Sequence, residues 1–414
     1  MVESIDIEIG FQKTEVGLIP SDWEVKLVEE VADVKSGKRL PLGKRLVNKE
    51  TSHPYIRVTD MFMGGVNTSA LQFVPDDVYR FIKNYRIFVE DIFISVAGSL
   101  GIIGKIPIEL DGANLTENAD RLTNIICDRD YLLNILTSSL IQTRIESEKT
   151  FGAQPKLALT RIKKFPIPLP PTKEEQTAIA TALNDADKLV SELEKFIVKK
   201  RNIRQGAIQE LMRPKEGWVE KRLGDCLLQN PDYGINAAAV PFNESLPLYL
   251  RITDITEDGK YSKKNIVSVN NILSSAYYLE NSDLVFARTG ASVGKTYLYD
   301  PRDGKLVFAG FLIRVKPNPE ILMPEYLKYF TQIKSYRDWI QTNSMRTGQP
   351  GINGNEYQEL ILNLPPDVNE QRHIAEILTD MEEEIEILQK KLEKFKMIKQ
   401  GMMQELLTGK IRLI

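Results

Sequence analysis

The chain has 414 residues, of which 42% are hydrophobic, so it is long enough to bury two or three ordinary cores. Its formal net charge of −3 argues against a protein that holds nucleic acid by bulk electrostatic attraction, since neutralising phosphates requires an excess of basic residues. With two cysteines and two histidines, a disulfide framework, a zinc cluster and a histidine-based triad are all disfavoured.

The first eleven residues carry Glu3, Asp6 and Glu8 and lack the basic start and apolar run of a signal peptide. No stretch approaches the roughly 20 apolar residues that a membrane span needs. These features predict a globular cytoplasmic protein with no membrane contact and no metal site.

The first module is predicted as mixed α/β with many short strands. The strands are expected at Tyr55–Val58, Ile92–Val96 and Leu122–Cys127, followed by a helix at Asp130–Lys149, a Gly/Gln/Pro loop at Gly152–Pro155 and a return strand into the pair Pro170 and Pro171.

One long helix is predicted to follow, from about Lys173 to Met212, because the Pro-Pro pair fixes an extended approach to it. Its apolar residues recur with alternating spacings of four and three, which is typical of a coiled-coil seam. The seam consists of Ile179, Leu183, Ala186, Val190, Leu193 and Ile197.

The second half of the chain repeats this order. Strands are expected at Tyr249–Ile252, Asp283–Arg288 and Leu306–Val315, a helix at Pro324–Asn343, a loop at Gly348–Asn353 and a second long helix from about Val368 to Leu407. The second helix has the same seam in the same register, at Ile374, Leu378, Met381, Ile385, Leu388 and Leu392.

The two halves are an internal repeat with an offset of about 195 residues. Residues 172–213 and 367–408 are identical at 15 of 42 positions, whereas the modules share only scattered anchors such as Trp23 with Trp218 and Gly98 with Gly290. The repeated seam favours a mutual coiled coil that separates the modules. The alternative is two amphipathic helices that pack on separate cores.

Two motifs imitate catalytic sites. The segment GASVGKT at Gly290–Thr296 has three residues, rather than four, between its glycine and Gly-Lys, and the corresponding segment at Gly98–Ile106 has five. Both are better interpreted as tight hairpins from which Lys105 and Lys295 point outward. The segment NPDY at Asn230–Tyr233 lacks the second proline of an amino-methyltransferase motif, so we interpret it as a surface turn.

Basic and amide side chains recur at matching positions of the two modules, and such side chains suit phosphate contact and base-edge recognition. Each is, taken singly, more often a solvated surface residue. The candidate DNA contacts are Lys35, Lys38, Arg39, Arg57, Lys105, Gln154 and Lys156 in the first module, and Arg251, Arg288, Lys295, Arg346, Gln349 and Asn353 in the second.

Several segments together resemble the specificity subunits of type I DNA restriction-modification enzymes. They are PLPPTKEEQTAIATAL (Pro168–Leu183) and LPPDVNEQRHIAEIL (Leu364–Leu378), the pair RQGAIQELM and KQGMMQELL, the ending LLTGKIRLI, and the entries GLIPSDWEVKL and PKEGWVEKRL. The resemblance covers nearly the whole chain and is specific in the helices but weak within the modules.

The resemblance implies target-recognition domains at 1–170 and 214–365, each followed by a conserved helix, at 171–213 and 366–414. It implies that the two helices form an antiparallel coiled coil. It implies that each domain binds one half of a bipartite site in double-stranded DNA, and that coiled-coil length sets the unread gap. Two modification subunits, which bind S-adenosylmethionine, and two restriction subunits, which use ATP and Mg²⁺, are the implied partners.

This chain would then be non-catalytic and carry no cofactor. Two alternatives remain open: a coiled-coil adaptor that never touches DNA, and an enzyme that binds ATP or S-adenosylmethionine by itself.

Overall fold

The structure, a computed structural model, describes residues 10–149, 156–346 and 348–413. The chain divides into two compact units, one formed by Met1–Leu193 with Lys391–Ile414 and the other by Glu194–Lys390. The division falls within each of the two long helices. Each unit therefore contains one mixed α/β module and a part of both helices.

The module of the first unit is built on two four-stranded sheets. Its antiparallel sheet has the spatial order Ile103–Gly104, Ile92–Ser95, Ala119–Thr123 and Asp33–Ser36. The second sheet has the order Gln72–Phe73, Pro54–Ile56, Ala113–Leu115 and Arg86–Ile87, and its two central strands are parallel. Two-stranded pairs join Phe11–Thr14 with Gly17–Pro20, Met61–Phe62 with Gly65–Val66, and Glu24–Leu27 with Pro166–Leu169.

The strand Ile92–Ser95 is buried at every position, which explains its continuous apolar sequence. The helix predicted over Asp130–Lys149 is instead two helices, Arg129–Thr137 and Ser139–Glu148. Ser138 interrupts them because its backbone is extended and its hydroxyl donates to the Ile135 carbonyl at 2.6 Å. Shorter helices span Val28–Val31, Asp76–Ile82 and Leu159–Ile162.

The second unit repeats the antiparallel sheet in the same spatial order. Its other sheet shares three adjacent strands with that of the first unit and differs in the fourth, because Ala239–Pro241 is added beyond Val267–Val269 and Leu306–Phe308 is an edge strand. The antiparallel sheet runs Asp232–Tyr233, Leu312–Val315, Leu284–Ala287 and Thr296–Leu298, and the other runs Ala239–Pro241, Val267–Val269, Leu248–Leu250 and Leu306–Phe308. Val219–Arg222 pairs with Ile361–Leu364 as the return strand of this module. Helices span Pro324–Phe330, Lys334–Asn343 and Gly354–Gln358.

Two predictions for this unit are wrong. Leu306–Val315 is two strands in different sheets, because the Leu312 amide donates to the Ala309 carbonyl at 2.8 Å and turns the chain between them. Asp232 and Tyr233 are not a surface turn. They form an edge strand paired with Ile313 and Arg314.

The two segments that imitate phosphate-binding loops are hairpin connections, as predicted. Each joins the fully buried central strand of its unit to the next antiparallel strand. Gly101 and Gly294 take φ values of 74° and 85°, a conformation that favours glycine. Their amides donate to equivalent carbonyls, those of Ser95 and Ala287, at 3.0 and 2.9 Å.

The long helices span Lys173–Leu211 and Val368–Leu406, within one residue of both predictions. A glutamine anchors the first turn of each. The Gln176 side-chain amide donates to the Pro170 carbonyl at 2.9 Å, and the Gln371 amide donates to the Pro365 carbonyl at 3.1 Å. The proline pair and the glutamine together fix where each helix begins.

The residues of the predicted seam fall into two groups, those that pack in the cores of the two units and those in the central part of the helices. The outer residues Ile179 and Leu183 lie in the core of the first unit, and Ile374, Leu378 and Met381 pack in or against the core of the second. Of the central seam residues, two are buried and five are half-buried. The buried ones are Ile197 and Ile385, and the half-buried ones are Ala186, Val190, Leu193, Leu388 and Leu392.

The helices pack antiparallel, as predicted. In the first unit Asp187 forms an ion pair with Lys399, and in the second Lys200 pairs with Glu384 at 2.7 Å. A later residue of the first helix thus meets an earlier residue of the second. The predicted fold, two mixed α/β modules and two long antiparallel helices in an internal repeat, is confirmed.

Candidate nucleic-acid interface

In both units, equivalent loops meet at the C-terminal end of the central buried strand, Ile92–Ser95 in the first and Leu284–Ala287 in the second. In the first, the Val96 amide donates to the Asn118 carbonyl at 2.7 Å, and the Val96 carbonyl accepts from Leu157 at 3.0 Å. In the second, Arg288 makes the same pair of backbone bonds, to the Phe311 carbonyl and from the Ile352 amide, at 3.0 and 2.9 Å. One backbone frame therefore presents different side chains in the two modules.

A glycine lets another loop approach this frame in each unit. A Cβ on Gly37 would lie 2.0 Å from the Thr116 carbonyl oxygen, and one on Gly234 would lie 2.3 Å from the Ala309 carbonyl oxygen. The side chains that follow Gly37 are the first module's predicted contacts Lys38 and Arg39. The close approach holds their backbone against the second sheet.

Three of the predicted cations of the first module lie on or next to the edge strand Asp33–Ser36. Lys35 is exposed and lies 3.4 Å from Asp33, while the Lys38 ammonium lies 5.5 Å from the centre of the Tyr85 ring. The Arg39 guanidinium is 77% exposed and lies 2.7 Å from Glu117, whose carboxylate raises the pKa of Arg39. All three side chains reach solvent at one edge of the sheet.

Arg57 and Arg251, predicted as DNA contacts, are engaged within the fold. Arg57 holds the carboxylate of Asp60 with two nitrogens and also donates to Gln72 and to the Ala70 carbonyl. Arg251 holds Asp254 in the same way. Hydrogen bonding to these buried carboxylates raises the pKa of both arginines. Each pair stabilises a turn of 3₁₀ helix.

Lys105 and Lys295 do not point freely outward as predicted, since both are half-buried and paired. Lys105 lies 2.8 Å from Asp130, whose other oxygen accepts from Asn184 of the first long helix at 3.1 Å. Lys295 lies 2.7 Å from Glu257. These ion pairs connect the hairpins to neighbouring elements. Because each lysine is already paired with a carboxylate, neither is well suited to contact a phosphate.

The structure brings Arg288, Arg346, Gln349 and Asn353 together around one cavity of about 290 Å³. Arg346 forms an ion pair with Glu356. The Asn353 side-chain oxygen accepts from the Glu356 backbone amide and caps a short helix. The side-chain nitrogen of Asn353 can therefore still donate to another group. Of the equivalent residues in the first module, Lys156 forms a β-bridge with Ala97, and Gln154 lies outside the described residues.

Sequence reasoning missed two aromatic residues at this place. Tyr233 and Phe311 are 40% and 60% exposed and line a second cavity of about 730 Å³, together with Arg251 and Arg288. The Tyr233 hydroxyl accepts from the Gly354 amide at 2.9 Å, and its ring lies under the Arg288 guanidinium at 4.8 Å. The NPDY segment was the available signal, but its comparison with a methyltransferase motif concealed the strand.

A repeated buried pair was also missed. Arg121 lies 3.5 Å from Asp91 in the first unit, and Arg314 lies 3.3 Å from Asp283 in the second. In each case the aspartate also accepts from a backbone amide three residues earlier. An aspartate directly before the central strand and an arginine on the neighbouring strand would have been visible in the repeat alignment.

Glu382 joins the second module to both long helices. It lies 2.8 Å from Lys328, 3.4 Å from Lys260 and 3.7 Å from Arg204, and accepts from the Tyr329 hydroxyl at 3.0 Å. Burial alone would raise the pKa of Glu382, but the three cations lower it to about 2. The carboxylate therefore stays ionised while it is mostly buried.

In the described ranges, no three acidic, histidine or cysteine side chains are arranged to hold a metal ion. None of the helices in those ranges is long and apolar enough to cross a membrane.

Comparison with known proteins agrees with the repeat. The family model for the type I restriction modification DNA specificity domain matches twice, at residues 20–201 and 215–397. The chain is 26% identical over 443 residues to a Methanocaldococcus jannaschii protein described as the type I restriction enzyme MjaX specificity subunit, covering 98% of this chain and 97% of that protein. The MjaVIII specificity subunit of that organism is 26% identical over 188 residues, 44% of this chain and 43% of the relative.

Two solved structures share the fold. The S subunit of the type I restriction-modification system from M. genitalium matches with a TM-score of 0.56 and 18% identity, over 93% of this chain and 96% of that one. A chain from a study of assembly and conformational transition of the type I system matches with a TM-score of 0.56 and 16% identity, over 95% and 99%. Because the family model covers most of both repeats, this chain belongs to the family of type I restriction-modification DNA specificity subunits.

Proposed function

We propose that this chain is the subunit that selects the DNA sequence for a type I restriction-modification complex, and that each module binds one half of a bipartite, asymmetric site. The observation that carries the proposal is the match of a DNA specificity domain to each of the two repeats. The loop clusters described above are the proposed contact surfaces, because they combine basic, amide and aromatic side chains at the same place in each module.

Different half-sites follow from the side chains on the shared backbone frame. Val96 of the first module corresponds to Arg288 of the second, and Asn118 corresponds to Phe311. Base edges in the major groove are distinguished by the donors, acceptors and apolar groups offered to them. Two modules that offer different groups from the same frame therefore select different bases.

The proposal leaves catalysis to partner subunits. Two modification subunits would supply S-adenosylmethionine and the methyl transfer, and two restriction subunits would supply ATP and Mg²⁺ chemistry. Large apolar side chains exposed on the long helices support docking there, because contact with a partner would remove them from water. They are Leu189, Phe196, Val198, Ile203, Ile387, Met397 and Ile398.

Exchange of one module tests the proposal. The chain is co-expressed with the modification subunit of its own system in a host without adenine methylation, and methyladenine is mapped across the genome. Replacing residues 214–365 with the equivalent module of another family member should change one half-site and keep the other. A coiled-coil adaptor would leave the methylated sequence unchanged, and a continuous palindromic motif would contradict the two-module scheme.

An enzymatic role is tested separately. If the chain alone hydrolysed nucleotides or transferred methyl groups, the purified chain would bind ATP or S-adenosylmethionine in calorimetry. We expect no binding of either. The modification complex assembled around this chain serves as the positive control for S-adenosylmethionine.

A further inference from the structure

Arg288 lies between the two cavities of the second unit. It lines both cavities of the contact surface, and two backbone hydrogen bonds fix its main chain. Its guanidinium is stacked over Tyr233, and its Nε is buried without a hydrogen-bond partner. Within the described residues this guanidinium forms neither a hydrogen bond nor an ion pair. A buried, oriented donor with no acceptor indicates that its partner comes from outside the chain.

The other cations around these cavities are already neutralised. Arg251 is held by Asp254, and Arg346 is held by Glu356. Glu356 is the acidic residue of this lining and is paired with Arg346, so the remaining polar side chains are uncharged. They are Thr289, Gln349 and Asn353 in one cavity, and Tyr233, Asn236, Tyr249 and Thr253 in the other. The surface therefore offers one fixed planar cation among uncharged donors.

We propose that Arg288 is a specificity-determining residue of the second module, and that it donates two parallel hydrogen bonds to O6 and N7 of a guanine in the major groove. The inference rests on the proposed function and adds the base class and the residue that recognises it. A bidentate arginine contact of this kind is the commonest specific contact to guanine.

The geometry favours a base over a phosphate. Phosphate contacts rely on positive charge, and the charge of the neighbouring arginines is cancelled by carboxylates. Base recognition relies on a fixed donor plane, which the Tyr233 ring provides. The equivalent residue of the first module is Val96, which has no side-chain donor, so the effect of Arg288 is confined to one half-site.

The test uses the full chain with its modification subunit and three variants, Arg288→Ala, Arg288→Lys and, as a control, Arg302→Ala. Arg302 is a highly exposed arginine of the same module and is paired with Asp300. Methylation rates are measured on duplexes that carry the wild-type site or single base-pair changes in each half-site.

Arg288→Ala should reduce discrimination at one G·C pair of the second half-site by roughly 5- to 150-fold and leave the first half-site unchanged. Arg288→Lys should lose that discrimination too, because an ammonium cannot form the planar pair of bonds. Arg302→Ala should behave as the wild type.

Uniform weakening of Arg288→Ala on all sequences would mean that Arg288 contacts a phosphate and would overturn the proposal. Full discrimination retained by Arg288→Lys would also overturn it, because the planar pair of bonds would then not be the source of the selectivity. Unchanged kinetics of a folded Arg288→Ala would also overturn it. These outcomes leave the module exchange unaffected, so failure of this inference is distinguishable from failure of the proposed function. Thermal unfolding of each complex identifies any variant that fails to fold, in which case Arg288→Lys decides the question.

Discussion

Asp120 is the clearest difference between the modules at the level of one residue. It is almost fully buried on the strand Ala119–Thr123, and one of its carboxylate oxygens has no hydrogen-bond partner. The corresponding residue of the second unit is Ile313, which lies in the core. Burial raises the pKa of Asp120 to about 6. The first module therefore keeps a carboxyl group where the second keeps an apolar side chain.

Replacing Asp120 with Asn should flatten the pH dependence of stability. Because the pKa is raised in the folded state, the contribution of Asp120 is most favourable below its unfolded pKa of 3.8 and is lost as the pH rises through 6. At pH 7 the variant should be more stable by up to about 3 kcal/mol. Urea unfolding between pH 4 and 7 measures this, with the exposed Asp185→Asn as control. Parallel profiles for Asp120→Asn and wild type would refute the prediction.

Arg57 should matter for stability rather than for sequence selection. Arg57→Ala removes the charged bonds to Asp60 and leaves that carboxylate buried, which should cost about 2 kcal/mol. A double-mutant cycle with Asp60→Ala should show the two residues to be coupled, and Arg45→Ala, at an exposed position, should be neutral. The methylated sequence should not change. An altered half-site in a stable Arg57→Ala variant would restore the residue as a base contact.

At the level of elements, Glu382 holds the second module on its helices. Its lowered pKa means that the stabilisation is fully present above the unfolded value of 4.5 and is lost as the pH falls toward 2. Glu382→Gln should therefore weaken the second unit by about 3 kcal/mol at pH 7. Hydrogen exchange over residues 194–390 would locate the loss. Glu383→Gln, the exposed neighbour on the same helix, is the matched control, and equal exchange in the two variants would contradict this role for Glu382.

Elements governed by local pattern were predictable from the sequence, and those governed by pairing were not. The long helices were predicted to within one residue because heptad spacing and the Pro-Pro pairs are local signals. The division of Leu306–Val315 depends on which sheet each segment joins, and that information is not local. The break at Ser138 depends on the extended backbone of that one residue.

The candidate site shows the same limit. The sequence placed Arg288, Arg346, Gln349 and Asn353 among the candidates, and the fold brings them together. It could not show that Arg251 and Arg57 form ion pairs with Asp254 and Asp60. The sequence around an arginine beside a turn does not reveal whether its side chain faces a carboxylate or solvent. Tyr233 required knowledge of a strand pairing.

At the level of the whole molecule, the antiparallel helices predict that their length sets the gap between half-sites. Inserting one heptad in each helix, near Leu193 and Leu388, preserves the seam register and should lengthen the unread gap while both half-sites persist. Methyladenine mapping measures both the length of the unread gap and the sequences of the two half-sites. Insertion of two residues, which turns the later part of the seam by about 200° onto another face, should abolish methylation. Loss of half-site identity in a folded heptad variant would count against the helices as spacers.

The last residues described in the chain belong to the first unit. Arg412 donates to the fully buried carboxylate of Glu175 at 2.8 Å and also to Asp22, while Leu406 and Leu407 lie in the same core as Trp23. Glu175 has no other cation in an ion pair among the described residues. The first unit is thus discontinuous in sequence, whereas the second, Glu194–Lys390, is continuous.

This arrangement has a consequence for synthesis on the ribosome. Domains commonly fold in the order in which they emerge, beginning at the N-terminus. Here the first unit cannot pair the buried Glu175 with Arg412, or fill its core with Leu406 and Leu407, until those residues have emerged from the ribosome. The second unit, Glu194–Lys390, is translated later but can complete its folding before the first unit does. The first unit of the nascent chain therefore stays incompletely packed until residues 406–412 have been synthesised.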